Sequence, residues 1–438
     1  MALIKNKNHI LNLIIAALPI SLAVGNLFVN INILLIIIFG LIIFKTDLFF
    51  LKKNLIKYLL LLFFLFLIST TLVEYYSAYE PFFHNEEYVQ KTKFNHLIKS
   101  FLFLRFFLLV LVICKLAESG NFNIEYIFYT SAFIVVFLFI DMFVQSIFGK
   151  DLFLIERPSK RYTSGFFGKE LIAGGFIQKF SLFLILLIPF SKLKIKSNIV
   201  LFFLLCFISI YFLILSGNRM VVLLFFASFF AMFIMEKRIK FLSIFSIFVI
   251  CVFLFFYNTN INTKNKFNYF YSQAKLVLMN FPYIEDPYLH KESLSKAQYL
   301  SVFNTGYDYW EQKKLFGNGL KNIRIKCYDL QKKYKKKFRS CSTHPHNYHL
   351  EILGDTGVIG YFIFLLICFL ILKNYYFFYE KQRLLNVKSR FFTLAPFLIL
   401  LMEFFPIRSS GSFFSTSNSM IIFLMIAIVI SAKNIKNK

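Results

Sequence analysis

A chain of 438 residues that is 58% hydrophobic, with 63 Phe and only 16% charged residues, and with mean hydropathy +0.67, is too apolar for an ordinary soluble domain. Its formal net charge of +27 would suit a nucleic-acid partner, but no zinc-finger spacing or other nucleic-acid module accompanies it, and lysines flanking apolar stretches account for much of the excess. The composition therefore leaves the lipid bilayer as the partner and an all-α integral membrane protein as the fold class, since in lipid every backbone amide must be satisfied within its own segment.

Crossing a hydrocarbon core of roughly 30 Å takes about 20 predominantly apolar residues. In chain order such stretches fall near residues 10–25, 27–44, 58–73, 97–116, 124–148, 171–190, 197–215, 219–235, 241–257, 347–372, 391–407 and 417–432. About twelve transmembrane helices are therefore predicted. The first is kept as a span and not a signal peptide, because a second apolar stretch follows at once and no small-residue cleavage site is evident.

Lys and Arg in short loops mark the cytoplasmic side. The tail with Lys5 and Lys7, the Lys45 to Lys57 link, Lys192 with Lys194 and Lys196, the Glu236-Lys-Arg-Ile-Lys240 turn, the Lys373 to Arg390 loop and the Lys433 to Lys438 tail all fall on one side. Both termini are then cytoplasmic. The opposite face receives loops near residues 74–96 and 149–170, a tight Ser216-Gly-Asn-Arg219 hairpin, and one long segment. Three domains follow: residues 1–257 with transmembrane helices one to nine, a large periplasmic loop over 258–346 between spans nine and ten, and residues 347–438 with helices ten to twelve. Long loops translocate largely regardless of charge, so the Lys332-Lys-Tyr-Lys-Lys-Lys337 run does not contradict this orientation.

Cys114, Cys206, Cys251 and Cys368 lie in or beside apolar spans, where a thiol is a small core filler. Cys327 and Cys341 both lie in the long loop. An oxidising compartment favours a bridge between them, and their spacing does not suit a metal site. A closed loop of about 15 residues would contribute roughly 3 kcal/mol.

Arg161, Arg219, Arg324 and His346 all fall on the outer side once the lysines have set the topology. An arginine fork donates bidentate hydrogen bonds to a diphosphate and keeps its charge at any physiological pH. A histidine, with its ordinary pKa near neutrality, can take the proton of a hydroxyl. Residues alone leave Arg219 equally readable as a hairpin arginine reaching for headgroups, Arg161 and Arg324 more readily as ordinary solvated loop charges, and Asp141 with Gln145 equally as an interhelical structural pair. The densest polar block is Cys341-Ser-Thr-His-Pro-His-Asn-Tyr-His-Leu350 followed by Glu351-Ile-Leu-Gly-Asp-Thr-Gly-Val-Ile-Gly360. Its histidines lack the spacing of a helical metal pair, so no metal is expected. Pro345 is expected at the first position of the tenth helix, which would put His346 and Asn347 in the opening turn beside free amide hydrogens. Gly354, Gly357 and Gly360 predict close helix contact, and Gly317-Asn-Gly319 predicts a turn.

The block from Cys341 to Leu350 resembles the His-Asn signature that closes the large periplasmic loop of the O-antigen ligase and polymerase family. Leu315-Phe-Gly-Asn-Gly-Leu-Lys-Asn-Ile-Arg324 is similar to the family's Gly-x-Gly segment, Arg161-Tyr-Thr-Ser-Gly-Phe-Phe-Gly-Lys-Glu170 to its Arg-x-x-Gly loop, and Leu215-Ser-Gly-Asn-Arg219 to its Ser-Gly-x-Arg hairpin. The Phe405 to Asn418 stretch is a weaker likeness. Many members carry a further arginine early in the large loop; none stands between Arg238 and Arg324 here, so that contact falls to Arg324.

The resemblance implies a bacterial inner-membrane glycosyltransferase with a periplasmic site and no cofactor. Its partners would be a glycan donor on undecaprenyl diphosphate and an acceptor hydroxyl on lipid A-core or another carrier-linked glycan. His346 would be the general base, and Arg161, Arg219, Arg324 and Asn347 would bind substrate. The transfer would be metal-independent and inverting, whether as ligase or as polymerase. A lipid-linked glycan transporter is the rival class, but transporters gather polar groups near the midplane on interrupted helices, whereas these residues gather at one face.

Overall fold

The computed structural model describes residues 2–50, 54–79, 84–159, 162–168, 170, 172–190, 194–259, 261–282, 298–333, 339–409 and 411–435. Among them every extended element is helical, and β pairing is limited to isolated bridges such as Lys150 with Glu156. The first expected span is two helices, α1 (Ala2–Ala16) and α2 (Leu18–Val24), broken beside Pro19, with α3 (Asn26–Phe44) packed against both. α4 (Leu55–Tyr76) and α5 (Glu86–Glu118) follow, each started by an asparagine side chain: Asn54 accepts from Ile56 N at 3.1 Å and Asn85 from Tyr88 N at 2.9 Å. α5 begins well before the predicted residue 97, because its polar first turns are held by other parts of the chain, His96 by Asn322 at 2.9 Å among them.

α6 (Glu125–Phe148), α7 (Ala173–Ile185), α8 (Ile195–Leu215), α9 (Arg219–Met235) and α10 (Ile239–Thr259) continue the bundle. The stretch expected as a long loop contains α11 (Ile261–Asn280), α12 (Gln298–Glu311) and α13 (Ile323–Lys333). α14 (Tyr348–Leu384), α15 (Arg390–Glu403) and α16 (Thr416–Ile430) complete the order. Nine helical segments among the described residues are long and apolar enough to cross a membrane. The other three expected stretches are the shorter helices α9, α15 and α16, of 17, 14 and 15 residues. The chain is an all-α, multi-spanning membrane protein, as an inner-membrane protein of this composition would be.

Side chains sort the helices by depth in the bundle. α3, α8 and α10 leave Leu27, Val200 and Ile247 exposed at 63–68%, the outward faces that lipid covers. α16 is the opposite: Ser419 to Val429 are all buried, enclosed by α3, α5, α14 and α15. Phe64, Phe103, Phe106 and Phe423 pack there, the Phe106 and Phe423 rings stacked at 5.7 Å. Lipid is as apolar as phenylalanine, so the gain comes from tight packing and not from escape from water.

The two ends of the bundle carry different polar groups. At one, Lys57 meets Glu118 at 2.8 Å, and Glu236 accepts from Arg390 Nε and Nη2 at 2.8 and 2.9 Å. At the other lie α11, α12, α13 and the starts of α9 and α14.

There α14 is not continuous. Gly357 has φ +65° and ψ −172°, separating a short half-helix from the long remainder. The amides freed at the break find partners in the preceding glycine segment: Val358 N donates to Lys314 O at 2.9 Å and Ile359 N to Leu315 O at 3.3 Å. In return Asn318 N and Gly319 N donate to the carbonyls of Gly354 and Asp355 at 3.0 and 2.9 Å. Gly317, with φ +79°, lies so close to Gly357 that a Cβ on either would strike the other's backbone. The predicted turn and the predicted close contact are two halves of one joint.

Candidate active site

His346 stands just ahead of α14. The helix begins at Tyr348 with Asn347 as its N-cap, so Pro345 lies before the helix and not in its first turn as the sequence suggested. The cap explains the shift: Asn347 Oδ1 accepts from Leu350 N at 3.1 Å, satisfying a first-turn amide that has no partner within the helix. The Asn347 amide group donates to the carbonyls of Pro406 and Arg408 at 2.7 and 3.1 Å, which fastens the helix start to the 404–415 loop. His346 itself is held at φ +54°, a region non-glycine residues rarely occupy. Such a conformation persists only where the surroundings over-determine it, and it concentrates at functional sites. Its Nε2 is 3.3 Å from Ser342 Oγ, and its ring lies 4.2 Å from that of His344.

Two links tie this segment to α13. Arg324 Nε donates to Thr343 O at 3.3 Å, and Cys327 and Cys341 form a disulfide with Cα atoms 5.2 Å apart. Arg324 and His346 thus belong to one assembly. Maleimide labelling of the denatured protein without reduction is expected to leave Cys327 and Cys341 unmodified; labelling of both would overturn the bridge.

Arg219 opens α9 after Gly217, whose φ of +76° and contact with the Tyr162 ring leave no room for a side chain. The guanidinium stands over the Tyr269 ring at 5.8 Å, and its Nε is buried without a hydrogen-bond partner among the described residues. It lines a niche of about 10 Å³ with Lys266 and Thr263 of α11. Arg161 lies outside the described residues, but the segment after it reaches this hairpin, Thr163 N donating to Leu215 O at 3.1 Å. Asp141 and Gln145 hold that loop in place. Asp141 accepts from Leu152 N at 2.9 Å, and Gln145 Oε1 from Ser164 N and Gly165 N at 2.8 and 3.0 Å.

Sequence reasoning missed several charged residues at this end. Lys321 is half-buried, and burial together with the charges of Arg324 and Lys99 holds its ammonium below its ordinary pKa range, against an opposing pull from Glu351. Glu351, one turn into α14, accepts from Ser412 Oγ and Phe413 N, each at 2.5 Å. Glu403 pairs with Lys179 at 3.3 Å and Arg408 at 2.5 Å, all three buried. The available signal was a carboxylate inside an apolar helix, which needs a partner from elsewhere. Among the described residues no three His, Cys, Asp or Glu side chains cluster as a metal site would.

No curated protein matches the chain. Residues 204–365 match the family model described as O-antigen ligase, a stretch that runs from within α8 into α14 and includes Arg219, Arg324, His346 and Asn347. Over those residues the chain is similar to the O-antigen ligase family, the family its His-Asn block resembles.

Proposed function

We propose that the protein is a ligase-type glycosyltransferase that moves a preassembled glycan from undecaprenyl diphosphate to lipid A-core. The family match across Arg219, Arg324 and His346 is the observation that carries this reading. In it the chain crosses the inner membrane about twelve times with both termini cytoplasmic. Residues 258–346 form the periplasmic part between helices one to nine and ten to twelve.

His346 takes the proton of the acceptor hydroxyl as its oxygen attacks the anomeric carbon. The bond from that carbon to the diphosphate oxygen breaks on the far side, so configuration inverts and undecaprenyl diphosphate departs. Arg161, Arg219 and Arg324 take up its growing negative charge, which needs neither a metal nor ATP. The buried Nε of Arg219 that lacks a partner supports an anion there. Asn347, with its side chain engaged on three backbone groups, serves by fixing the loop that carries His346 more than by touching substrate.

A polymerase of the same family would use the same donor chemistry. In a deletion strain, loss of a ligase is expected to leave lipid A-core bare while polymer of normal length accumulates on the carrier. A single-repeat band on lipid A-core would instead identify a polymerase. Absence of joining in a detergent assay, together with movement of the lipid-linked glycan across sealed vesicles holding the purified protein, would favour the transporter.

A further inference from the structure

Phe66, Ser69, Thr70 and Val73 recur at helical spacing along one face of α4, and Leu315 and Phe316 stand opposite. Between them runs a groove of about 660 Å³. Its walls are apolar yet open: Val73 is 65% exposed, and Leu315 and Phe316 are each 60% exposed. The chain's single Trp, Trp310, stands beside it and donates from Nε1 to Lys314 O at 3.1 Å. An indole of this kind marks the depth where hydrocarbon meets headgroups.

The polar end of the groove is strongly basic. Glu74 is buried and pairs with Lys313 at 2.5 Å and Lys326 at 2.7 Å. Lys93 is buried in the same cluster, its Nζ donating to Ser77 O at 2.9 Å and lying close enough to feel the charges of Glu74 and Lys313. Asp329, engaged by the Tyr79 hydroxyl, adds a second carboxylate, so ammonium groups still outnumber carboxylates. Lys314, more exposed, stands at the mouth with Glu311 at 3.3 Å. Among the described residues Lys93, Lys313 and Lys326 stand against Glu74 and Asp329, and the positive charge left over, on the partly exposed Lys313, favours an added anion.

We propose that this groove binds a membrane lipid, its hydrocarbon chain along α4 and its phosphate headgroup at Lys313 and Lys314. This lipid is distinct from the one whose diphosphate is assigned to Arg161, Arg219 and Arg324, and its binding does not depend on the transfer reaction. The chemistry recognised is an anionic phosphate joined to an apolar chain, which excludes a zwitterionic headgroup and a free phosphate alike.

Native mass spectrometry of the purified full chain tests this with phosphatidic acid, phosphatidylcholine and inorganic phosphate as probes. Retention of phosphatidic acid over phosphatidylcholine is expected, weakened about tenfold by Lys313→Gln with Lys314→Gln, as loss of charge-assisted hydrogen bonds predicts. Ser69→Trp, which fills the groove and leaves the lysines in place, is expected to weaken it comparably and decides the matter if the lysine variant fails to fold. His346→Ala is expected to bind as the wild type does. Equal retention of both lipids, displacement by inorganic phosphate, or unchanged binding in Ser69→Trp would overturn the proposal.

Discussion

His346→Ala is expected to abolish glycan transfer while leaving the amount of protein in the membrane unchanged. Removing a general base lowers a rate by about 10²–10⁴-fold, and the hydrogen bond between the His346 ring and Ser342 stays within one short segment. His344→Ala and His349→Ala are expected to be milder in activity. His344 lies tilted against the His346 ring and can steady it, whereas His349 is turned inward, its ring nitrogens 3.0 Å from Tyr361 Oη and from Phe404 O. The measurement is joining of donor to acceptor by purified variants at matched concentration. Near-normal transfer by His346→Ala would remove it from the mechanism.

The second large effect is structural. Gly317→Ala and Gly357→Ala each place a methyl group against backbone of the other segment, at φ values of +79° and +65°. Neither neighbour is a flexible side chain that could yield. A strained φ alone costs on the order of 1–3 kcal/mol, and the clash adds to it, so a loss of several kcal/mol is expected, on the order of 3 or more. Thermal melting of the purified variants checks this: a wild-type midpoint for Gly317→Ala would show that the joint is looser than described. Gly175→Ala, whose added Cβ would meet only the flexible end of Lys179, is the natural control.

Hydropathy carried the membrane assignment because spanning helices satisfy their own backbones, so their signal is local in sequence. The His-Asn block was legible for the same reason: its residues are contiguous. The Gly317–Gly357 joint was not, since each half on its own reads as an ordinary turn or a helix contact, and only their meeting across the fold gives them a shared purpose. Glu74, Lys93, Lys313 and Lys326 come from four separate segments, and each alone resembles a solvated charge. Asn347 shows a finer limit. Its place in the signature pointed to substrate, while its three backbone partners depend on where the 404–415 loop lies, which no local pattern records.

α16 supplies the centre of the bundle, yet it is made after α3, α5, α14 and α15, the helices that enclose it. Until Thr416 to Ile430 have been synthesised, α3, α5, α14 and α15 surround a slot with no protein in it. In water such a gap would drive collapse or aggregation. In a bilayer the vacancy is simply solvated by acyl chains, at little expense, because lipid and side chain are alike in polarity. The core helix can therefore be inserted after the four that enclose it, and the packing of Phe423 against Phe64, Phe103 and Phe106 closes only then.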